Sequence, residues 1–136
     1  MKKIVSLICV LALCITGLSM AASAAMVEGY TITTATSADG QTVRLPAGTV
    51  GYNVSSVSCS VASAQAKLSL YLKSYTNPFY GYHCDPDYIV KKGYTKKCRW
   101  PGTKEGPYLV HMEAQNNTNS AGNRINVVVY GDFGNA

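Results

Sequence analysis

The chain has 136 residues, a formal net charge of +5 and only 14% charged residues. This is one ordinary domain's worth of chain, too apolar for intrinsic disorder and too weakly charged overall to indicate nucleic-acid binding. No transmembrane run is long enough to span a bilayer once the first two dozen residues are set apart.

Those residues read as a signal peptide. Lys2 and Lys3 precede an apolar run from Ile4 to Leu18, and Ala22-Ser23-Ala24 is a small-residue cleavage site. The expected organisation is a signal peptide over 1–24 and a single extracellular β domain over 25–136, with a formal charge of +3 once Lys2 and Lys3 are removed. Cys9 and Cys14 leave with the leader, and Cys59, Cys84 and Cys98 stay. Export to an oxidising compartment makes a disulfide the expectation. We expect Cys84 to pair with Cys98 across a turn-rich segment, leaving Cys59 reduced in an apolar strand.

Period-two alternation dominates the remainder. In chain order, Tyr30–Thr36 and Gln41–Leu45 are weak strands, with Ala38-Asp39-Gly40 predicted as the turn of a hairpin between them and Pro46-Ala47-Gly48 ending the second. Val57, Cys59 and Val61 alternate with serines. Leu68, Leu70 and Leu72 alternate with Ser69, Tyr71 and Lys73. Phe79–Tyr82 and Tyr88–Val90 are further short strands. Asn77-Pro78, Asp85-Pro86-Asp87 and Trp100-Pro101-Gly102 are expected turns. Tyr108, Val110, Met112 and Ala114 form an apolar row, as do Ile125, Val127 and Val129; a polar loop, 116–123, separates these strands, which we expect to pair antiparallel. The predicted fold is all-β: a small antiparallel β-sandwich with a turn-rich middle segment. Its core should contain Leu68, Leu70, Leu72, Val110, Met112, Ile125, Val127 and Val129.

The middle segment carries the unusual chemistry. Between Tyr71 and Glu105 lie six of the ten tyrosines, the only tryptophan, and seven of the ten Lys and Arg found after residue 24. Aromatic rings with polar tips suit sugars, peptides and proteins, and clustered lysines attract polyanions and anionic membranes. We expect an exposed platform of Tyr80, Tyr82, Tyr94 and Trp100 edged by Lys91, Lys92, Lys96, Lys97 and Arg99. The competing reading is ordinary solvated surface, with lysines guarding strand edges against aggregation.

Catalytic and metal signals are poor. His83-Cys84-Asp85-Pro86-Asp87 offers ligand types, but adjacent strand residues point to opposite faces, and no Cys-x-x-Cys, His-x-x-x-His, Gly-x-Ser-x-Gly or phosphate loop is present. No metal, cofactor or nucleic-acid partner is expected. The layout is similar to that of small secreted β-sandwich proteins of Gram-positive bacteria, some of which, the lactococcin-like bacteriocins, are antimicrobial. No motif carries a residue role over from them. The expected function is a secreted, non-enzymatic binding domain contacting an envelope glycan, a polyanion or a surface protein. The rivals are a secreted antimicrobial or toxin-like protein, and a small hydrolase using Cys84, His83 and His111.

Overall fold

A computed structural model describes residues 26–73 and 81–136. The expected signal peptide over 1–24 and Tyr80 of the expected platform lie outside the described residues, as do Asn77-Pro78 and the first half of the expected Phe79–Tyr82 strand. Nine strands follow in order: β1 (Met26–Thr34), β2 (Ser37–Asp39), β3 (Val43–Leu45), β4 (Gly48–Ser58), β5 (Gln65–Leu72), β6 (Tyr82–Lys91), β7 (Lys96–Thr103), β8 (Gly106–Gln115) and β9 (Val127–Asn135). They form two antiparallel sheets packed as a β-sandwich, as the alternation predicts. The first sheet has the order β1-β9-β4-β7. The second has the order β2-β8-β5-β6, with β3 beside β2 on the same flank of β8.

The core lies between the sheets. Leu68, Leu70, Val110, Met112, Val127 and Val129 are fully buried in it. Leu72 and Ile125 are only half-buried, because Leu72 ends its strand and Ile125 precedes the start of β9. Three rings fill the other end: Tyr30, Tyr52 and Phe133 sit with centroids 4.7–6.1 Å apart. The polar tips of the tyrosines are satisfied. Tyr52 donates to the Tyr30 carbonyl at 2.9 Å. The Tyr30 hydroxyl donates to the Gln41 carbonyl and accepts from the Val110 amide, tying β1 to the opposite sheet.

Irregularities in register decide which side chains face inward. In β4 an extra residue, Ser55, intervenes between the pairs Val54↔Gly131 and Ser56↔Tyr130. Val54 and Val57 therefore both point into the core despite an odd spacing. Residue 131 must be glycine there, since any Cβ would run into the Asn53 carbonyl. In β6, Asp85, Pro86 and Asp87 together oppose Ser69 alone, between the pairs Leu70↔Cys84 and Leu68↔Tyr88.

Five local expectations are corrected. Ala38-Asp39-Gly40 is no hairpin turn: Ser37–Asp39 is strand β2 on β8, and Gly40 extends that pairing by donating to the Val110 carbonyl. β1 and β3 accordingly lie in different sheets. β8 and β9 do not pair either; the loop between them crosses from one sheet to the other, held by Asn117, whose side-chain amide donates to the Ala35 and Ile125 carbonyls. Asp85-Pro86-Asp87 is a bulge inside β6, and Trp100-Pro101-Gly102 lies inside β7. Both prolines sit on edge strands, where a missing N–H disrupts no ladder. Finally, Cys59, Cys84 and Cys98 are all free thiols, so the expected Cys84–Cys98 bridge is absent from the structure. Cys84 belongs to the edge strand of one sheet and Cys98 to that of the other, where Cys98 is fully buried opposite Tyr52.

Candidate functional site

Among the described residues β6 and β7 are free edges of opposite sheets, joined by a tight turn, and they face each other along one side of the sandwich. Two aromatic tips stitch them together. The Tyr88 hydroxyl donates to the Arg99 carbonyl at 2.7 Å and accepts from the Arg99 amide at 3.1 Å. In the other direction, Trp100 Nε1 donates to the Pro86 carbonyl at 2.7 Å. Each edge thereby satisfies backbone groups of the other that no neighbouring strand reaches. The two rings meet edge-on, 5.2 Å between centroids.

This arrangement takes Trp100 out of the expected platform. It is 1% exposed and among the largest buried side chains. A buried indole needs a partner for its N–H, and the Pro86 carbonyl supplies one. The remaining platform does not assemble on one face either. Tyr82 is 73% exposed and opens β6, whereas Tyr94 is 67% exposed and lies beyond its far end. β6 runs ten residues from Tyr82, roughly 30 Å at about 3.3 Å per residue, so the two rings lie at opposite ends of it.

The turn end collects the basic residues. The Tyr94 amide donates to the Lys91 carbonyl, and Gly93 takes a φ of 81°. The Lys92 and Gly93 amides donate to the Ala64 and Val57 carbonyls, which fixes the turn over the end of both sheets. Lys91, Lys96 and Lys97 are exposed and Lys92 is half-buried. Among the described residues none of the four has a carboxylate within 4.0 Å; the side-chain ion pairs use Arg44, Lys67 and the two histidines instead. Along the register row of Lys97, the nearest acid is Asp132, two strands away, where it accepts from the Gly29 amide. Lys96 Nζ lies 5.9 Å from the Tyr88 ring centroid. Arg99 is half-buried and donates to the Cys98 carbonyl, so it borders the cluster without extending it.

At the opposite end, where β6 and β7 diverge, a cleft of about 630 Å³ opens between Tyr82, Cys84, Trp100, Lys104 and Tyr108. Burial pushes the Cys84 thiol up, and Asp85 adds to that shift. Such a thiol holds its proton and is a poor nucleophile. His83 also lines the cleft, but in register it pairs with Tyr71 on the outer face, while Cys84 pairs with Leu70 on the inner one. Among the described residues no group of three or more metal-ligating side chains is assembled.

A third constellation spans the outer face of the second sheet, and sequence reasoning missed it as a unit. His111 Nδ1 lies 2.7 Å from Asp39 Oδ1, and His83 Nε2 lies 2.7 Å from Asp87 Oδ1. Tyr71 stands between the two imidazoles, with centroids 5.2 Å from His83 and 5.9 Å from His111. Burial pushes the Asp87 carboxyl up, but hydrogen bonds from His83, Ser69 and Lys67 outweigh it and leave it below the usual carboxylate range. The alternation places Tyr71 and His111 on the polar face of their strands; only the strand order brings them beside His83.

No protein-family model matches the chain, and no curated protein matches it. Two solved structures, of the Gt and Gx strains of infectious bursal disease virus, are similar to it with a TM-score of 0.51 each. They are 9% and 10% identical, and the likeness covers 82% of this chain but 31% of theirs. The chain thus spans about a third of the length of those chains. At this identity the likeness is one of fold.

Proposed function

We propose that the chain is a secreted, non-enzymatic binding domain that contacts an anionic component of a cell envelope through the β6–β7 turn. The observation that carries this reading is the set Lys91, Lys92, Lys96 and Lys97, four cations within seven residues and with no carboxylate partner among the described residues. Lysines that serve only as solvated surface are commonly interspersed with acids; here the positive field is left open to a partner. The leader-like residues 1–24 support the extracellular setting. The upward shift of the Cys84 thiol and the register that turns His83 and Cys84 to opposite faces favour binding over hydrolysis by a thiol nucleophile.

The test is titration of residues 25–136 with dextran sulfate at low and high salt. Affinity should fall steeply as salt rises, because charges farther apart than about 8–10 Å are largely screened at physiological ionic strength. A variant with all four lysines changed to alanine should lose the interaction while unfolding at the same temperature. Binding that ignores salt, or that survives in the folded quadruple variant, overturns the reading.

A further inference from the structure

The same turn carries apolar surface that a soluble polyanion has no use for. Tyr94, 67% exposed, projects from the turn, and Ile89, 51% exposed, shares the outward row of β6 with Lys91. The space beside Gly93 is open, with no atom within 4 Å of where a Cβ would stand. A polymer chain is held best by a groove that tracks its backbone, and the cleft described above lies at the other end of β6. A turn with a tyrosine ring, an aliphatic side chain and a surround of long cationic ones matches a different partner. Tyrosine concentrates at the level of lipid headgroups, and lysines reach anionic headgroups while their stems lie along apolar surface.

We propose that the β6–β7 tip docks on a bilayer surface containing anionic lipid, with Tyr94 and Ile89 at the interface and Lys91, Lys92, Lys96 and Lys97 against the headgroups; this rests on the reading of that turn as the contact surface. The charge complementarity comes from the four lysines, unpaired among the described residues, and the choice of lipid over polymer comes from the exposed Tyr94 ring and Ile89 beside them. β6 and β7 are stitched together behind the tip by Tyr88 and Trp100, so the turn meets the surface on a rigid support. Tyr94 makes no aromatic contact among those formed by the described residues, so changing it should leave the sandwich intact.

Residues 25–136, which contain both sheets, are sedimented with vesicles of phosphatidylcholine alone and of phosphatidylcholine with phosphatidylglycerol, and are titrated in parallel with dextran sulfate. Binding should require phosphatidylglycerol. Each lysine near an anionic surface contributes about fivefold, so a Lys96→Ala/Lys97→Ala variant should bind such vesicles about 30-fold more weakly. Tyr94→Ser should lose on the order of tenfold on vesicles, from the ring area it no longer buries, and stay within about twofold on dextran sulfate. In Tyr94→Trp, brominated lipid should quench the new indole, with the buried Trp100 as an unquenched internal reference. Wild type that binds dextran sulfate but not vesicles overturns the lipid assignment and leaves the anionic-contact reading standing. Vesicle binding unchanged in Tyr94→Ser also overturns it. Failure to bind either probe overturns both readings.

Discussion

Tyr88→Phe isolates the bridge between the two sheet edges. The substitution keeps the ring, and with it the edge-on contact to Trp100 at 5.2 Å and the approach of Lys96. It removes one oxygen, which serves the Arg99 carbonyl at 2.7 Å and the Arg99 amide at 3.1 Å. Both backbone groups lie on the free edge of β7, so no strand takes over when the hydroxyl is lost. An unsatisfied buried donor or acceptor costs about 1–3 kcal/mol. Two such groups at a half-buried site, partly rescued by water, should cost about 1–3 kcal/mol together. In a domain of this size that lowers Tm by roughly 4–8 °C per kcal/mol. Urea denaturation at neutral pH measures the loss, with Tyr94→Phe as a control expected within about 0.5 kcal/mol of wild type because its ring is exposed. Amide exchange at Arg99 should speed up in Tyr88→Phe and nowhere in the control. A Tyr88→Phe stability within about 0.5 kcal/mol of wild type, with Arg99 exchange unchanged, refutes the idea that side-chain tips close this side of the sandwich.

Leu70→Ala should cost about 2–5 kcal/mol in the same urea assay, since Leu70 is fully buried between the sheets; a loss below about 0.5 kcal/mol would place β5 in the wrong register. Burial pushes the Tyr30 hydroxyl up to about 12. The unfolded chain's tyrosines lose their protons near pH 10 while Tyr30 keeps its own, so stability should fall as pH rises from about 10 towards 12; a denaturation midpoint flat between pH 9 and 11 contradicts this. Burial likewise pushes the Cys98 thiol up to about 12. A thiol reagent at pH 8 should reach Cys98 last in native residues 25–136 and titrate three thiols in the same segment unfolded and unreduced; fewer than three would reveal a disulfide.

The edge lysines admit a structural reading as well as a functional one. Lys96 and Lys97 begin β7, and Pro101 lies later on the same edge, which is how natural sheets discourage edge-to-edge pairing. Tyr88 already occupies that edge with hydrogen bonds to Arg99, however, and Lys91 and Lys92 belong to the end of β6 and the turn. Edge protection therefore accounts for part of the basic cluster, and the salt-dependent binding assay separates the rest.

Alternation along single strands was enough to read the β class, the inward rows Leu68/Leu70 and Tyr108/Val110/Met112/Ala114, and the polar faces carrying Tyr71 and His111. It is a local signal: successive side chains point to opposite sides whatever the strand pairs with. The basic turn was legible for the same reason, since Lys91-Lys92-Gly93-Tyr94 combines charge with a residue that tolerates positive φ. Partner choice was not local. That β8 and β9 lie in different sheets, and that β2 abandons β1 for β8, depends on which distant apolar rows can be covered together. The role of Trp100 was decided there too. An indole is as suited to a binding surface as to a core, and only the approach of the β6 edge supplied the Pro86 carbonyl that lets its N–H be buried. The placement of the three thiols was decided in the same way: strand order puts Cys84 on an edge of one sheet and Cys98 on an edge of the other, and all three thiols are free.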